Sequence, residues 1–191
     1  MRVLLIVPPN IGRYVAATIP HAGIAYLSAI LKRDGHKIEL VDMRMHASNK
    51  YLFGKIEEFK PDMIGMTTAS IGYKMAYEII DTIKGRYPKI PVAIGGSYAS
   101  TVHSKILEDT KVDYVIYGEG ERTFLELANG NAIKQINGLI YRDDDEIIMN
   151  PPYPLEQDLD KLPFPDYEIF ELNMMLEKRI PIISSRGCPN R

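Results

Sequence analysis

Hydrophobic and polar positions alternate between two rhythms over the first 130 residues of the chain. Short apolar runs rich in β-branched residues recur: RVLLIV (2–7), HKIELVD (36–42), DMIGMTT (62–68), PVAIGG (91–96) and DYVIYG (113–118). Runs that are apolar almost throughout predict strands covered on both faces, as in a parallel sheet. Between them the spacing becomes helical. In AGIAYLSAILKRDGH, Ile24, Leu27, Ile30 and Leu31 share one face, and Gly35 stands where a helix stops. In YKMAYEIIDTIKGRYP, Ala76, Ile79, Ile80 and Ile83 form the stripe, ended by Gly85 and Pro88. YLFGKIEEF (51–59) and TVHSKILEDT (101–110) are shorter helical stretches, and GERTFLELANG (120–130) opens acidic, as a helix dipole favours. Five strand–helix units in a row predict an α/β domain. Its sheet is a flavodoxin-like, doubly wound, five-stranded parallel sheet of order 2-1-3-4-5 with right-handed crossovers.

Beyond Gly130 the texture changes. INGLIYRDDDEIIMN (136–150) predicts a β-hairpin extension with a polar turn. PPYPLEQDLDKLPFPDY (151–167) holds five prolines, so it predicts a semi-rigid extended linker rather than a helix or a central strand. A short helix near 166–177 and a strand IPIISS (180–185) follow. The expected division is therefore a Rossmann-like domain over 1–135, the hairpin over 136–150, linker and short helix over 151–179, and the start of a further domain over 180–191.

Composition narrows the function classes. The chain has 191 residues, 46% hydrophobic and 25% charged, with a net charge of −2 and no long Lys/Arg run. That balance is globular and disfavours nucleic acid or an anionic membrane as partner. No apolar stretch approaches the roughly 20 residues needed to span a bilayer. A single cysteine permits no internal disulfide, which fits a reducing cytoplasm.

Candidate chemistry gathers at the carboxyl ends of the predicted strands, where open parallel sheets bind ligands. Strand one runs into PPNIG, strand three into TTAS, strand four into GGSYAS and strand five into GEGE. Thr67, Thr68 and Ser70 offer hydroxyls, while Gly95 and Gly96 admit a ligand close to backbone. Gly118 and Gly120 flank Glu119 in the same way. Glycine after a strand is also ordinary turn chemistry, and Thr67 and Thr68 could simply cap a helix. Three neighbouring loops of this type on one edge nevertheless suit a large, flat or extended ligand. The P-loop motif is absent, as is G-x-G-x-x-G after strand one, which argues against those two phosphate sites.

These segments resemble, in order, the N-terminal half of cobalamin-binding radical S-adenosylmethionine enzymes. The matching pieces are RVLLIVPPN, IPHAGIAYLSAILKRDGHKIELVD, DMIGMTTAS, VAIGGSYAS, VDYVIYGEGERTFLEL and LDKLPFPDY. The terminal ISSRGCPNR looks like the opening of that family's C-x-x-x-C-x-x-C motif. The resemblance implies cobalamin at the sheet edge. Its nucleotide tail would pass Thr67, Thr68, Ser70, Gly95, Gly96 and Ser97, with the corrin over Tyr98, Gly118, Glu119, Gly120 and Glu121. It implies that Cys188 is an iron–sulfur ligand only in a full-length protein, where three thiolates leave one iron open to S-adenosylmethionine. The chain is then expected to be cut inside the motif, with a missing C-terminal radical domain as its partner and no catalysis of its own. Another cobalamin class uses D-x-H-x-x-G to ligate cobalt. PPNIGR has no His, DGHKIE lacks the Gly and precedes strand two, and Tyr98 stands where many relatives carry His. His36 is read as a helix-exit residue, and His21 and His103 as structural or solvent-facing, so no His is expected beneath cobalt.

The resemblance implies a radical enzyme that most often transfers methyl groups, its protein part positioning the cofactors and excluding water. Two alternatives stand beside it: a cofactor-free docking or substrate-recognition module of the same fold, and a flavodoxin-like nucleotide or flavin binder.

Overall fold

The computed structural model describes residues 1–9 and 19–187. Its strands are β1 (Arg2–Val7), β2 (Lys37–Asp42), β3 (Met63–Thr67), β4 (Val92–Gly95), β5 (Tyr114–Ile116), β6 (Leu139–Asp143) and β7 (Glu146–Met149). The helices are α1 (Ala22–Arg33), α2 (Asn49–Phe59), α3 (Tyr73–Arg86), α4 (Ala99–Val102), α5 (Lys105–Asp109) and α6 (Gly120–Ala128).

Continuous apolar runs make two-sided strands. In β1, Leu4 and Ile6 face one core, while Val3, Leu5 and Val7 face the other. The first core packs against Leu52 and Ile56 of α2, the stripe of α3, and Ile106 and Leu107 of α5. The second packs against Ile24, Ala25 and Leu31 of α1 and Phe124, Leu127 and Ala128 of α6. The sheet is thus sandwiched between α1 and α6 on one side and α2 to α5 on the other, an α/β fold with a mostly parallel sheet.

The sheet differs from the expectation in strand number and order. It has seven strands, not five, in the order β2-β1-β3-β4-β5-β6-β7. The hairpin is not a separate extension: β6 pairs antiparallel with β5 (Tyr114↔Tyr141, Val115↔Ile140, Ile116↔Leu139), and β7 pairs with β6. The physical reason lies in GLIY. Leu139, Ile140 and Tyr141 are all buried, and they divide between the two cores. Such a run needs a covered position within the sheet, and it supplies one by closing the open edge of β5. Asp144 takes the left-handed turn position at φ 52°.

Asn150 fastens this addition. Its Nδ2 donates to the carbonyls of Ile133 and Ile136, each at 2.7 Å, and its own carbonyl accepts from the Tyr117 hydroxyl. Elsewhere regular structure is shorter than the spacing predicts. The 101–110 stretch divides into α4 and α5 because His103 adopts φ 51°. The helix expected near 166–177 resolves into two three-residue 3₁₀ turns, Tyr167–Ile169 and Leu172–Met174. Residues 180–185 form no strand. The proline-rich segment is irregular but packed: Asp166 accepts from Ser28 Oγ at 2.6 Å and pairs with Lys32, and Phe170 is buried.

Asn150→Ala removes the side-chain donor to two inward carbonyls. It should cost about 2–4 kcal/mol. Urea unfolding should show the midpoint falling with the slope unchanged.

Candidate functional site

Strand length and loop chemistry build the carboxyl edge. Thr67 ends β3 opposite Gly95, the last residue of β4. One residue on, Thr68 N–H donates to the Gly95 carbonyl at 2.8 Å, and Tyr98 N–H donates to the Thr68 carbonyl at 3.3 Å. Gly96 is wedged in this crossing at φ 101°, where a Cβ would lie 2.4 Å from the Thr68 carbonyl oxygen. Only glycine satisfies both the angle and the space. The β5 loop is tied on in turn, with Gly118 N–H donating to Ser100 Oγ at 2.9 Å. Gly118 has φ 77° and open space beside it.

Because the three loops are laced together, the room lies beside them. A cavity of about 360 Å³ runs between the sheet edge and the α1/α6 layer. Its walls are apolar, from Ile24, Leu27, Met66, Ala93, Ile116 and Phe124, and its rim carries Gly118 to Glu121. A second cavity of about 320 Å³ continues from it toward β1, lined by Pro8, Arg44, Thr68 and Ser97 among others. His21, Thr67 and Gly96 line both and form the neck between them.

Nine of the eleven sequence-nominated edge residues fall on these cavities: Thr67, Thr68, Gly95, Gly96, Ser97, Gly118, Glu119, Gly120 and Glu121. Ser70 is exposed and lines neither, and Tyr98 turns to the other face, stacked on Tyr73 with ring centroids 4.6 Å apart. Cys188 lies outside the described residues, as does the loop PPNIG from Asn10 onward. Among the described residues no group of three His, Cys, Asp or Glu side chains could hold a metal ion. The Thr68 hydroxyl is buried and has no hydrogen-bond partner, one of the two such side-chain atoms among the described residues.

Four residues that periodicity did not nominate complete the site. Gly65, in the middle of β3, would place a Cβ 2.6 Å from the Phe124 ring, so its bareness lets that ring sit back from the cavity. A glycine inside an otherwise apolar strand run is the signal that could have found it. His21 caps α1: its Nδ1 accepts from Ile24 N–H at 3.3 Å, and its Nε2 lies 3.5 Å from Thr67 Oγ1. Burial, with the Arg44 guanidinium, lowers the His21 pKa and so favours the neutral ring. Arg44 itself is bound by Asp42 through Nε at 2.8 Å. Arg186, from the C-terminal segment, pairs with Glu121 at 2.7 Å and Glu119 at 3.8 Å, and lies over the Tyr26 ring. Ile183, Arg186 and Gly187 thereby form one wall of the larger cavity. His36 and His103 stand away from both cavities. His36 bonds Asn129 at 2.9 Å where α1 exits, and His103 packs edge-on against Tyr117.

Comparison with known proteins gives this geometry a family. The model of the B12 binding domain matches residues 10–128. The chain is 31% identical over 201 residues to an uncharacterized methyltransferase of Pyrococcus horikoshii, covering 99% of this chain and 44% of that protein. It is 30% identical to the anaerobic magnesium-protoporphyrin IX monomethyl ester cyclase of Rubrivivax gelatinosus, covering 99% of this chain and 37% of that one. It therefore spans less than half the length of these relatives. A solved structure of the radical S-adenosylmethionine methyltransferase TsrM from Kitasatospora setae, with cobalamin and a 4Fe-4S cluster bound, matches with a TM-score of 0.69. That match is 24% identical and covers 85% of this chain and 30% of that one, a likeness of fold. No helix among the described residues is long and apolar enough to cross a membrane. With the family model covering more than half of its length, from residue 10 to the end of α6, the chain belongs to the B12-binding domain family.

Proposed function

We propose that this chain is the cobalamin-holding part of a longer radical S-adenosylmethionine enzyme, a methyltransferase or related radical catalyst. The observation that carries it is the apolar cavity that opens at the carboxyl edge and runs in between the sheet and α1/α6. A corrinoid needs such a slot for its nucleotide tail and an open rim for its ring. The residues fit the group. The unpartnered Thr68 hydroxyl supplies a hydrogen bond that the protein leaves unmade. Gly118 offers bare backbone at the rim, and Gly95 leaves ordinary contact distance to Ile116.

On this reading Thr67, Thr68, Gly95, Gly96 and Ser97 border the path of the tail, with Ser70 at its outer end. Gly118 to Glu121 support the ring, and Tyr98 steadies the β4 loop from behind. When bound, cobalamin supplies a cobalt-centred carrier for a methyl group or a radical. The chain's own residues bind and orient it, and the apolar walls keep water from it. The division of the chain follows: residues 1–135 with the 136–150 hairpin as cofactor domain, 151–179 as linker, and 180–191 as the opening of a radical domain. There Cys188 would be the first cluster thiolate, and the iron–sulfur cluster and S-adenosylmethionine would belong to the whole protein. A reducing cytoplasm suits such chemistry.

The purified chain, mixed with hydroxocobalamin and desalted, should retain corrin absorption at close to one equivalent. Clean passage of the corrinoid, or retention of flavin instead, overturns the assignment. Gly65→Ala should drive the Phe124 ring into the slot and weaken cobalamin binding by about tenfold or more, alongside an overpacking cost of about 1–3 kcal/mol. Phe124→Leu added to it should restore much of the affinity in a spectroscopic titration. If Gly65→Ala binds cobalamin as the parent does, the slot is not the tail site.

A further inference from the structure

At the neck between the two cavities His21 makes two hydrogen bonds, both long, at 3.3 and 3.5 Å. His21 is the N-cap of α1, and its Nδ1 accepts the Ile24 N–H. A nitrogen that accepts a backbone N–H carries no proton, so in the neutral ring the proton sits on Nε2. That N–H faces Thr67 Oγ1 at 3.5 Å, beyond the usual 2.7–3.2 Å for such a bond. Gly23 leaves room for the ring in this pose: a Cβ there would stand 3.3 Å from His21 Cε1. The imidazole is therefore fixed in orientation and tautomer, with a donor presented where apolar walls meet.

The surroundings define what would accept from it. The charged groups nearest the ring are matched with each other. Arg44 is bound to Asp42, and Arg186 to Glu119 and Glu121. No free cation stands at the neck to hold an anion, among the described residues. The walls beside it are Ile24, Met66 and Phe124. A neutral donor in such a setting suits a neutral, flat acceptor, and the chemical class that answers is an aromatic ring nitrogen with a free lone pair.

We propose that His21 donates its Nε2–H to the free ring nitrogen of the bound cobamide's nucleotide base, and so selects cobamides whose base carries such a nitrogen. This rests on the cobalamin assignment above and goes beyond it. Family membership requires only a slot, whereas His21 gives the slot a preference. A ring nitrogen engaged with cobalt has no lone pair to accept with, so the same contact favours the base released from the metal.

The test compares three corrinoids on the purified chain by visible titration: cobalamin, p-cresolyl cobamide, whose lower ring has no nitrogen, and cobinamide, which has no nucleotide. The preference is read as the cobalamin-to-cresolyl affinity ratio of the parent relative to that of the His21 variants, because only cobalamin must release its base from cobalt. It should be about tenfold, the worth of one well-made hydrogen bond. His21→Leu should remove that preference and leave cobinamide affinity unchanged. His21→Asn keeps a capping side chain, so the helix start survives, but it is too short to reach the neck. It should lose the preference with thermal stability retained. Free dimethylbenzimidazole added with cobinamide should not substitute for the tethered base. The inference falls if His21→Asn weakens cobinamide and cobalamin alike, or if either variant keeps the preference. Failure of the parent chain to bind any of the three removes the cobalamin assignment itself, and this inference with it.

Discussion

Gly96 is the point on which the functional edge depends. The Thr68 and Gly95 backbones cross there at hydrogen-bond distance, and only a residue without a side chain at positive φ fits between them. Once β3 and β4 are joined in this way, their loops cannot splay apart. Ser100 then draws the β5 loop to the same knot through Gly118. The broad berth that the sequence suggests between three separate loops is thereby replaced by a different geometry. The loops form a continuous ridge, and the accessible volume is displaced to the side of the sheet where α1 and α6 begin.

The C-terminal segment completes that volume without adding regular structure. Glu119 and Glu121 stand at the start of α6, where a helix dipole favours carboxylates. Left alone they would give the rim a negative charge. Arg186 comes from 65 residues further along the chain than Glu121, matches both carboxylates, and spreads its guanidinium over Tyr26. Glu119 also accepts the Glu156 N–H, so the proline-rich segment is drawn into the same network. One guanidinium against two carboxylates leaves the rim less negative than the carboxylates alone would make it, and the segment that leads toward Cys188 is held against the larger cavity by an ion pair rather than by a strand ladder.

Much of this was legible in the sequence. The strand runs and helix stripes appear where periodicity puts them, because burial on both faces of a sheet leaves a compositional trace that local reading detects. Nine of the eleven proposed edge residues meet at the two cavities for the same reason, since loops after parallel strands share one edge. What escaped depends on pairing across distance. GLIY reads equally well as an isolated hairpin or as a sixth strand, and only the unfilled edge of β5 decides between them. Arg186 carries no local mark of its destination. Tyr98 lies in a loop of otherwise small residues, and its departure from the cavity is fixed by Tyr73, the first residue of α3.

Side-chain size across the sheet settles which face is left open. On the α2 to α5 side the edge is filled by aromatic rings: Tyr98 on Tyr73, Tyr73 against Tyr77, and His103 against Tyr117. On the α1/α6 side the corresponding positions are Gly65, Ala93, Gly95, Gly23 and Gly120, and the one large ring, Phe124, is seated back over Gly65. Close packing tolerates few voids, so a gap of this size persists only where small residues line it and the framework around them cannot collapse. The Gly96 knot supplies that rigidity at one end and the Arg186 pair at the other. The cavity follows from a difference in bulk between the two faces of one sheet edge, held open by two ties that local sequence pattern does not link.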